Sequence, residues 1–152
     1  MNLFGHEQET TTSDDYYTPA WVFEDMAVEF DLDVASPPGG VPWIPAKRFL
    51  TMADDGLTTP WEGRVWMNPP FSGTTPWVRR FMEHRNGIAL LPTHNNSWML
   101  DLWKAVDGVT FFGPNFYYAR PGGDKGAIMF RCGLWAFGDW AVDAIGRVGH
   151  VR

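Results

Sequence analysis

Apolar positions along the chain fall into short runs cut by proline and glycine, and their spacing switches between strand-like and helix-like. Residues 30–36, Phe30-Asp31-Leu32-Asp33-Val34-Ala35-Ser36, read as a first strand, stopped by the turn Pro37-Pro38-Gly39-Gly40. Arg48-Phe49-Leu50-Thr51 reads as a short strand. A run of β-formers then ends abruptly at Asn68, where two prolines forbid further strand or helix register. Gly87-Ile88-Ala89-Leu90-Leu91-Pro92 is continuously apolar, the pattern of a strand buried on both faces. Val109 to Phe112 and Ala127 to Cys132 predict two more strands, joined by a Gly- and Pro-rich loop over residues 113–126.

Three stretches carry helical spacing. Thr18 is a suitable N-cap and Pro19 a suitable first residue for a helix over residues 19–29, with Trp21, Val22, Met26 and Phe30 near one face. A second helix is predicted over 76–84, opened by Thr75-Pro76, and a third over 96–106, with Trp98, Leu102 and Trp103 apolar. Strands alternating with helices predict a three-layer α/β sheet, to which the last strand pair adds an antiparallel edge. Only about thirty residues separate Ser36 from Asn68, too few for two complete strand-helix units. The sheet is therefore expected to be trimmed there, with loops in place of helices.

The turn Asn68-Pro69-Pro70-Phe71 carries the candidate chemistry. The Asn68 side-chain oxygen can accept one hydrogen of an exocyclic amine and the Pro69 carbonyl the other, while Pro70 stiffens the corner. Held by two acceptors, the nitrogen lone pair is drawn out of conjugation and becomes nucleophilic without a general base. Phe71 offers a face on which a flat base can stack.

This signature is that of the amino-methyltransferases, and the chain resembles the compact, mostly phage-encoded DNA N6-adenine methyltransferase family. The resemblance runs from about Tyr16 to Trp135, through Tyr16-Tyr17-Thr18-Pro19-Ala20-Trp21, Leu32-Asp33-Val34-Ala35-Ser36, Asp54-Asp55-Gly56-Leu57 and Val65-Trp66-Met67-Asn68-Pro69-Pro70-Phe71. It implies a Rossmann-like class I methyltransferase sheet, S-adenosyl-L-methionine as cofactor and DNA as substrate. It also implies that Tyr17, Thr18 and Pro19 lie against the methionine end of the cofactor. From the residues alone, that block is equally a capped surface helix. Asp33, Val34, Ala35 and Ser36 match the family's cofactor strand, although Pro37 and Pro38 stand where methyltransferases generally carry glycine. One of Asp54 and Asp55, with Asp55 preferred, is implied to lie near the ribose or adenine; the residues alone also fit an acidic turn in solvent.

Composition changes the picture in three places. The chain has 152 residues, expected to form an N-terminal arm over 1–13 and a single domain over 14–152 without a separate target-recognition domain. Its one cysteine, Cys132, excludes a disulfide, and His6, His84, His94 and His150 show no metal-ligand spacing, so no metal is assigned. With no charged-then-apolar leader and no membrane-length apolar run, a cytoplasmic protein is expected, with no membrane partner. The net charge of -6 opposes a protein that grips phosphates, but the acids cluster early, from Glu7 to Asp33. Arg79, Arg80, Arg85, Lys104, Arg120 and Lys125 come later.

Asn115, Tyr117, Arg120 and Lys125 in the 113–126 loop mix rings with cations, a pattern suited to nucleic acid, and Ser72 adjoins the central turn. The same loop also reads as a hairpin that packs its own rings. Two rival functions remain open: a methyltransferase of the same fold acting on an RNA base or a protein glutamine, and a non-catalytic module that binds cofactor or DNA.

Overall fold

The computed structural model describes residues 17–93, 96–113, 116–120, 125–128 and 132–152. The expected arm over 1–13 and His94 lie outside them. A six-stranded mixed sheet forms the centre, in the order β2, β1, β3, β4, β8, β5. The strands are β1 (Phe30–Asp33), β2 (Ala46–Phe49), β3 (Val65–Met67), β4 (Gly87–Pro92), β5 (Gly108–Phe111) and β8 (Cys132–Phe137). β2, β1, β3 and β4 pair in parallel, whereas β8 runs antiparallel to both β4 and β5. A separate two-stranded hairpin joins β6 (Tyr117–Ala119) to β7 (Lys125–Ile128).

Side-chain alternation along the central strands makes two cores. Trp66, Ile88, Leu90, Leu134 and Ala136 face one side, where they meet Val22, Phe23 and Met26 of α1 (Ala20–Met26) and Ala141, Ala144 and Ile145 of α4 (Asp139–Gly146). Val65, Met67, Ala89, Leu91, Trp135 and Phe137 face the other, where they meet Val78 and Phe81 of α2 (Thr75–His84) and Leu102 of α3 (Met99–Ala105). Helices thus cover both faces, which is why all six residues of β4 and of β8 are buried. Truncating one of these side chains, for example Leu90→Ala, would cost about 2–5 kcal/mol.

No α-helix intervenes between β1 and β3. The connection from β1 to β2 is instead a run of turns containing Pro37, Pro38, Pro42 and Pro45. Proline stiffens this crossover but denies it helical hydrogen bonds.

Four expectations are corrected. The antiparallel strand is not at the edge. β8 lies between β4 and β5, and β5 is outermost, with Phe111 half exposed. An all-apolar run such as Cys132–Phe137 is favoured inside a sheet, where both of its faces are covered. The strand expected over 127–132 is divided between β7 and β8. The loop expected over 113–126 contains β6, and α4 follows the last strand without having been anticipated.

Finally, α1 is shorter than expected and begins differently. Pro19 is its N-cap, without a side-chain cap bond, and Ala27 ends it in the left-handed region at φ 51°. Thr18 therefore does not cap the helix.

The outer edge of β5 is closed by the chain itself. The Val109 N–H donates to the Arg152 carbonyl at 2.9 Å, and the Arg152 N–H donates back at 3.0 Å.

Candidate active site

Because β1, β2 and β3 run parallel, their carboxyl ends share one rim, and a cavity of about 410 Å³ opens there. Open α/β sheets take ligands at such rims, because the backbone groups beyond the last ladder bond are unused by the sheet. Three loops supply the walls: residues 33–38 after β1, 50–52 after β2 and 68–70 after β3. Tyr17 and Thr18 close one side, and Asp55, Gly56 and Trp77 of α2 close another.

The Asn68 corner is built as its sequence dictates. Pro69 has no N–H to continue the ladder, so β3 stops at Met67. Pro70 then sits at φ -56° and ψ 125°, and a 3-10 turn follows over Phe71–Gly73, where the Gly73 N–H reaches the Pro70 carbonyl at 3.2 Å. Asn68 and Pro70 are half-buried and Pro69 is buried, all three on the cavity wall.

Among the residues that line this cavity, Asp33, Thr18 and Trp66 hold buried polar groups with few or no partners, the Trp66 indole N–H having none. Asp33 is 3% exposed, and its carboxylate accepts one long hydrogen bond, from the Ala35 N–H at 3.3 Å. Burial pushes its pKa up from 3.8 to about 7, against a smaller lowering by the Ala35 bond. Thr18 is 1% exposed, and its hydroxyl has no hydrogen-bond partner. Its carbonyl, in contrast, accepts the Trp43 indole N–H at 2.8 Å.

Ten of the residues expected at a site come together on this cavity: Tyr17, Thr18, Asp33, Val34, Ala35, Ser36, Asp55, Asn68, Pro69 and Pro70. Asp54 is instead engaged by Thr51, whose N–H and hydroxyl donate to its carboxylate at 2.9 and 3.2 Å. Pro19 is not on the wall. Phe71 is not on it either; its half-buried ring lies 6.4 Å from that of Tyr118 in the hairpin. Ser72 is exposed beside the corner.

Tyr117, Arg120 and Lys125 stand apart from the cavity wall, on the hairpin. The Lys125 ammonium lies 3.6 Å from the centre of the Tyr117 ring, and Arg120 is exposed. That hairpin is nevertheless tied to the cavity, because Tyr17 and Ala119 exchange backbone hydrogen bonds. Tyr118 points inward, and its hydroxyl lies 2.5 Å from the Cys132 sulfur. Among the described residues no cluster of three His, Cys, Asp or Glu could hold a metal, and no helix is long and apolar enough to cross a membrane.

Several wall residues escaped sequence reasoning. Thr51 and Met52 carried an indirect signal, since a short strand at 48–51 running parallel to the first would end at the same rim. Trp77 carried none, because only the packing of α2 decides which of its rings borders a cavity.

A mainly parallel α/β sheet with a crevice over its strand ends, and an Asn-Pro-Pro corner in that crevice, defines the class. The model of the DNA N-6-adenine-methyltransferase (Dam) family matches residues 6–130, and the chain belongs to that family. A DNA N-6-adenine-methyltransferase of Haemophilus phage HP1 (strain HP1c1) is 38% identical over 98 residues, which cover 61% of this chain and 50% of the relative. The chain thus spans about half the length of the curated relative it matches. No solved structure matches it.

Proposed function

We propose that the protein transfers a methyl group from S-adenosyl-L-methionine to the exocyclic N6 of adenine in DNA. The observation that carries this reading is that the Asn68-Pro69 corner shares a cavity with the buried carboxylate of Asp33, which accepts a single long hydrogen bond, and with Thr18, whose buried hydroxyl has no partner. Those groups fit the donor. It brings cationic centres that compensate a buried carboxylate, and hydrogen-bonding groups that can meet a lone hydroxyl. The family membership and the name of the phage relative support the same activity.

When bound, the donor supplies an electrophilic methyl on a sulfonium; the protein supplies placement and charge. Asn68 accepts one hydrogen of the amine through its side-chain oxygen, and the Pro69 carbonyl accepts the other. Neither group is a base, so both orient the nitrogen and release the amine proton toward solvent once the new bond has formed. Pro70 keeps the corner rigid, and Phe71 stacks on the base as it arrives.

On the donor side, Asp33 balances positive charge and Tyr17 and Thr18 flank the methionine part, with Val34, Ala35 and Ser36 as the backbone floor; Pro19, behind the wall, starts the helix that follows them. Asp55 meets the ribose or adenine. Ser72, Tyr117, Arg120 and Lys125 contact DNA, the two cations at phosphates. The reaction takes place in the cytoplasm of the cell that holds the DNA, and the shortened sheet with loops between β1 and β3 is a reduced form of the class I methyltransferase fold.

The test is incubation with labelled S-adenosyl-L-methionine and DNA, followed by nucleoside analysis. N6-methyladenine is the expected product, and its absence together with label in RNA or protein would reassign the acceptor.

A further inference from the structure

Arg80 takes no part in the cavity wall, yet four interactions converge on it and on the one wall segment it touches. It lies three residues beyond Trp77 on α2, so the two side chains project from the same helical face. Its guanidinium donates to the Gly56 carbonyl at 2.5 Å and to the Thr59 carbonyl. It also stands 4.7 Å from the centre of the Trp61 ring. Trp61 adds a second donor to the same Gly56 oxygen, its indole N–H at 2.7 Å, and its ring stacks on Trp77 at 6.5 Å and 23°.

The segment being held has no slack. A Cβ on Gly56 would lie 2.1 Å from the Val34 carbonyl oxygen and 2.7 Å from the Trp77 ring, so backbone is pressed between the end of β1 and α2. Asp55, just before it, sits in the left-handed region at φ 55°. The loop 55–59 is otherwise a series of turns with exposed positions. Charge-assisted bonds from a planar fork to two carbonyls are well suited to fixing such a loop.

We infer that Arg80 is a positioning residue for methyl-donor binding: through Gly56 and Thr59 it fixes the wall formed by Asp55 and Gly56, and so sets donor affinity without touching the donor. The inference rests on the reading of this cavity as a donor site. Its field also reaches the Asp55 carboxylate, which, after Glu83, helps keep the guanidinium charged against the lowering caused by its burial. The Asp55 carboxylate accepts the Leu57 N–H at 3.1 Å, so its side chain is ordered within the same loop. The hydrogen bonds and ring contact of Arg80 go to Gly56, Thr59 and Trp61 rather than to the Asn68 corner carried on β3, so the acceptor side should not feel its loss.

The experiment compares wild type, Arg80→Met and Arg80→Lys in the full chain. Three quantities are read: S-adenosyl-L-homocysteine and S-adenosyl-L-methionine affinity by calorimetry, KM for DNA at saturating donor, and melting temperature. Arg80→Met, which keeps the stem but loses charge and fork, is expected to weaken donor binding about tenfold or more. Arg80→Lys, which keeps charge and one donor, is expected to restore part of that loss. KM for DNA should stay within about twofold in both.

Should Arg80→Met fail to fold, Trp61→Phe serves, since it removes the second donor to Gly56 and keeps a ring; a two- to fourfold weakening of donor binding alone is expected. Donor affinity unchanged in all folded variants overturns the inference, as does an equal loss of donor and DNA affinity. Wild-type protein that binds no donor overturns the donor-site reading itself, and the role of Arg80 falls with it.

Discussion

Tyr17 and Ala119 exchange backbone hydrogen bonds at 2.9 and 2.8 Å, so a wall of the cavity and the base of the cationic hairpin move as one piece. Ala119→Pro removes one of the two donors and introduces a ring at a buried position. The cost is expected to be about 2–4 kcal/mol, read as a lower melting temperature. Methyl transfer to DNA should fall more than tenfold. A variant as active and as stable as wild type would show that the pairing has no mechanical role.

Asn68→Ala deletes one of the two acceptors for the amine and leaves the donor side untouched. Methyl transfer should fall below detection while donor affinity stays within a few-fold, measured by calorimetry on the same preparation. Wild-type rates in this variant would refute the role given to Asn68.

Asp33 makes both stability and binding depend on pH. The unfolded chain loses this proton near 3.8 and the folded protein near 7. Between these values the folded state holds the extra proton, so the free protein loses stability as pH rises through the window, by an amount on the order of 4 kcal/mol. Asp33→Asn should abolish that slope, leaving the free variant more stable than wild type at pH 8 and close to it at pH 4.5. A cationic donor favours the ionised carboxylate, so its binding near pH 6.5 should expel a proton. Calorimetric heats would then differ between buffers of different ionisation enthalpy, and identical heats would remove Asp33 from the charge balance.

Cys132 should be inert in the native protein. It is 4% exposed, burial raises its pKa to about 11 against a smaller lowering by the Tyr118 hydrogen bond, and the thiolate is the reactive form. A thiol reagent at pH 8 is expected to modify it only when denaturant unfolds the chain, at a rate that follows unfolding. Rapid labelling of the folded protein would contradict this burial.

Much of the candidate cavity's lining was readable because it depends on local chemistry. Proline after Asn68 ends a strand wherever the strand lies, and an acid followed by small residues after an apolar run marks a strand end at a crevice. The continuous apolar stretch Gly87–Pro92 was likewise enough to place a central strand.

What escaped depends on distant parts of the chain. Cys132–Phe137 and Val109–Phe112 are both short apolar runs, and only the pairing of the first with β4 decides which of them lies inside. Thr18 has the chemistry of a helix cap, yet the helix starts after Pro19 and leaves its hydroxyl buried without a partner. The wall residue Trp77 and the loop clamp of Arg80 arise from how α2 rests on residues 55–61, about twenty positions earlier in the sequence.

The bond pair between Val109 and Arg152 also bears on solubility. An unpaired flank of β5, with Phe111 beside it, would be an open template for another copy of the same strand. The two hydrogen bonds that Val109 and Arg152 exchange occupy that template in the folded molecule. Removing Val151 and Arg152 should therefore leave the fold standing but raise self-association with rising concentration above that of the intact chain.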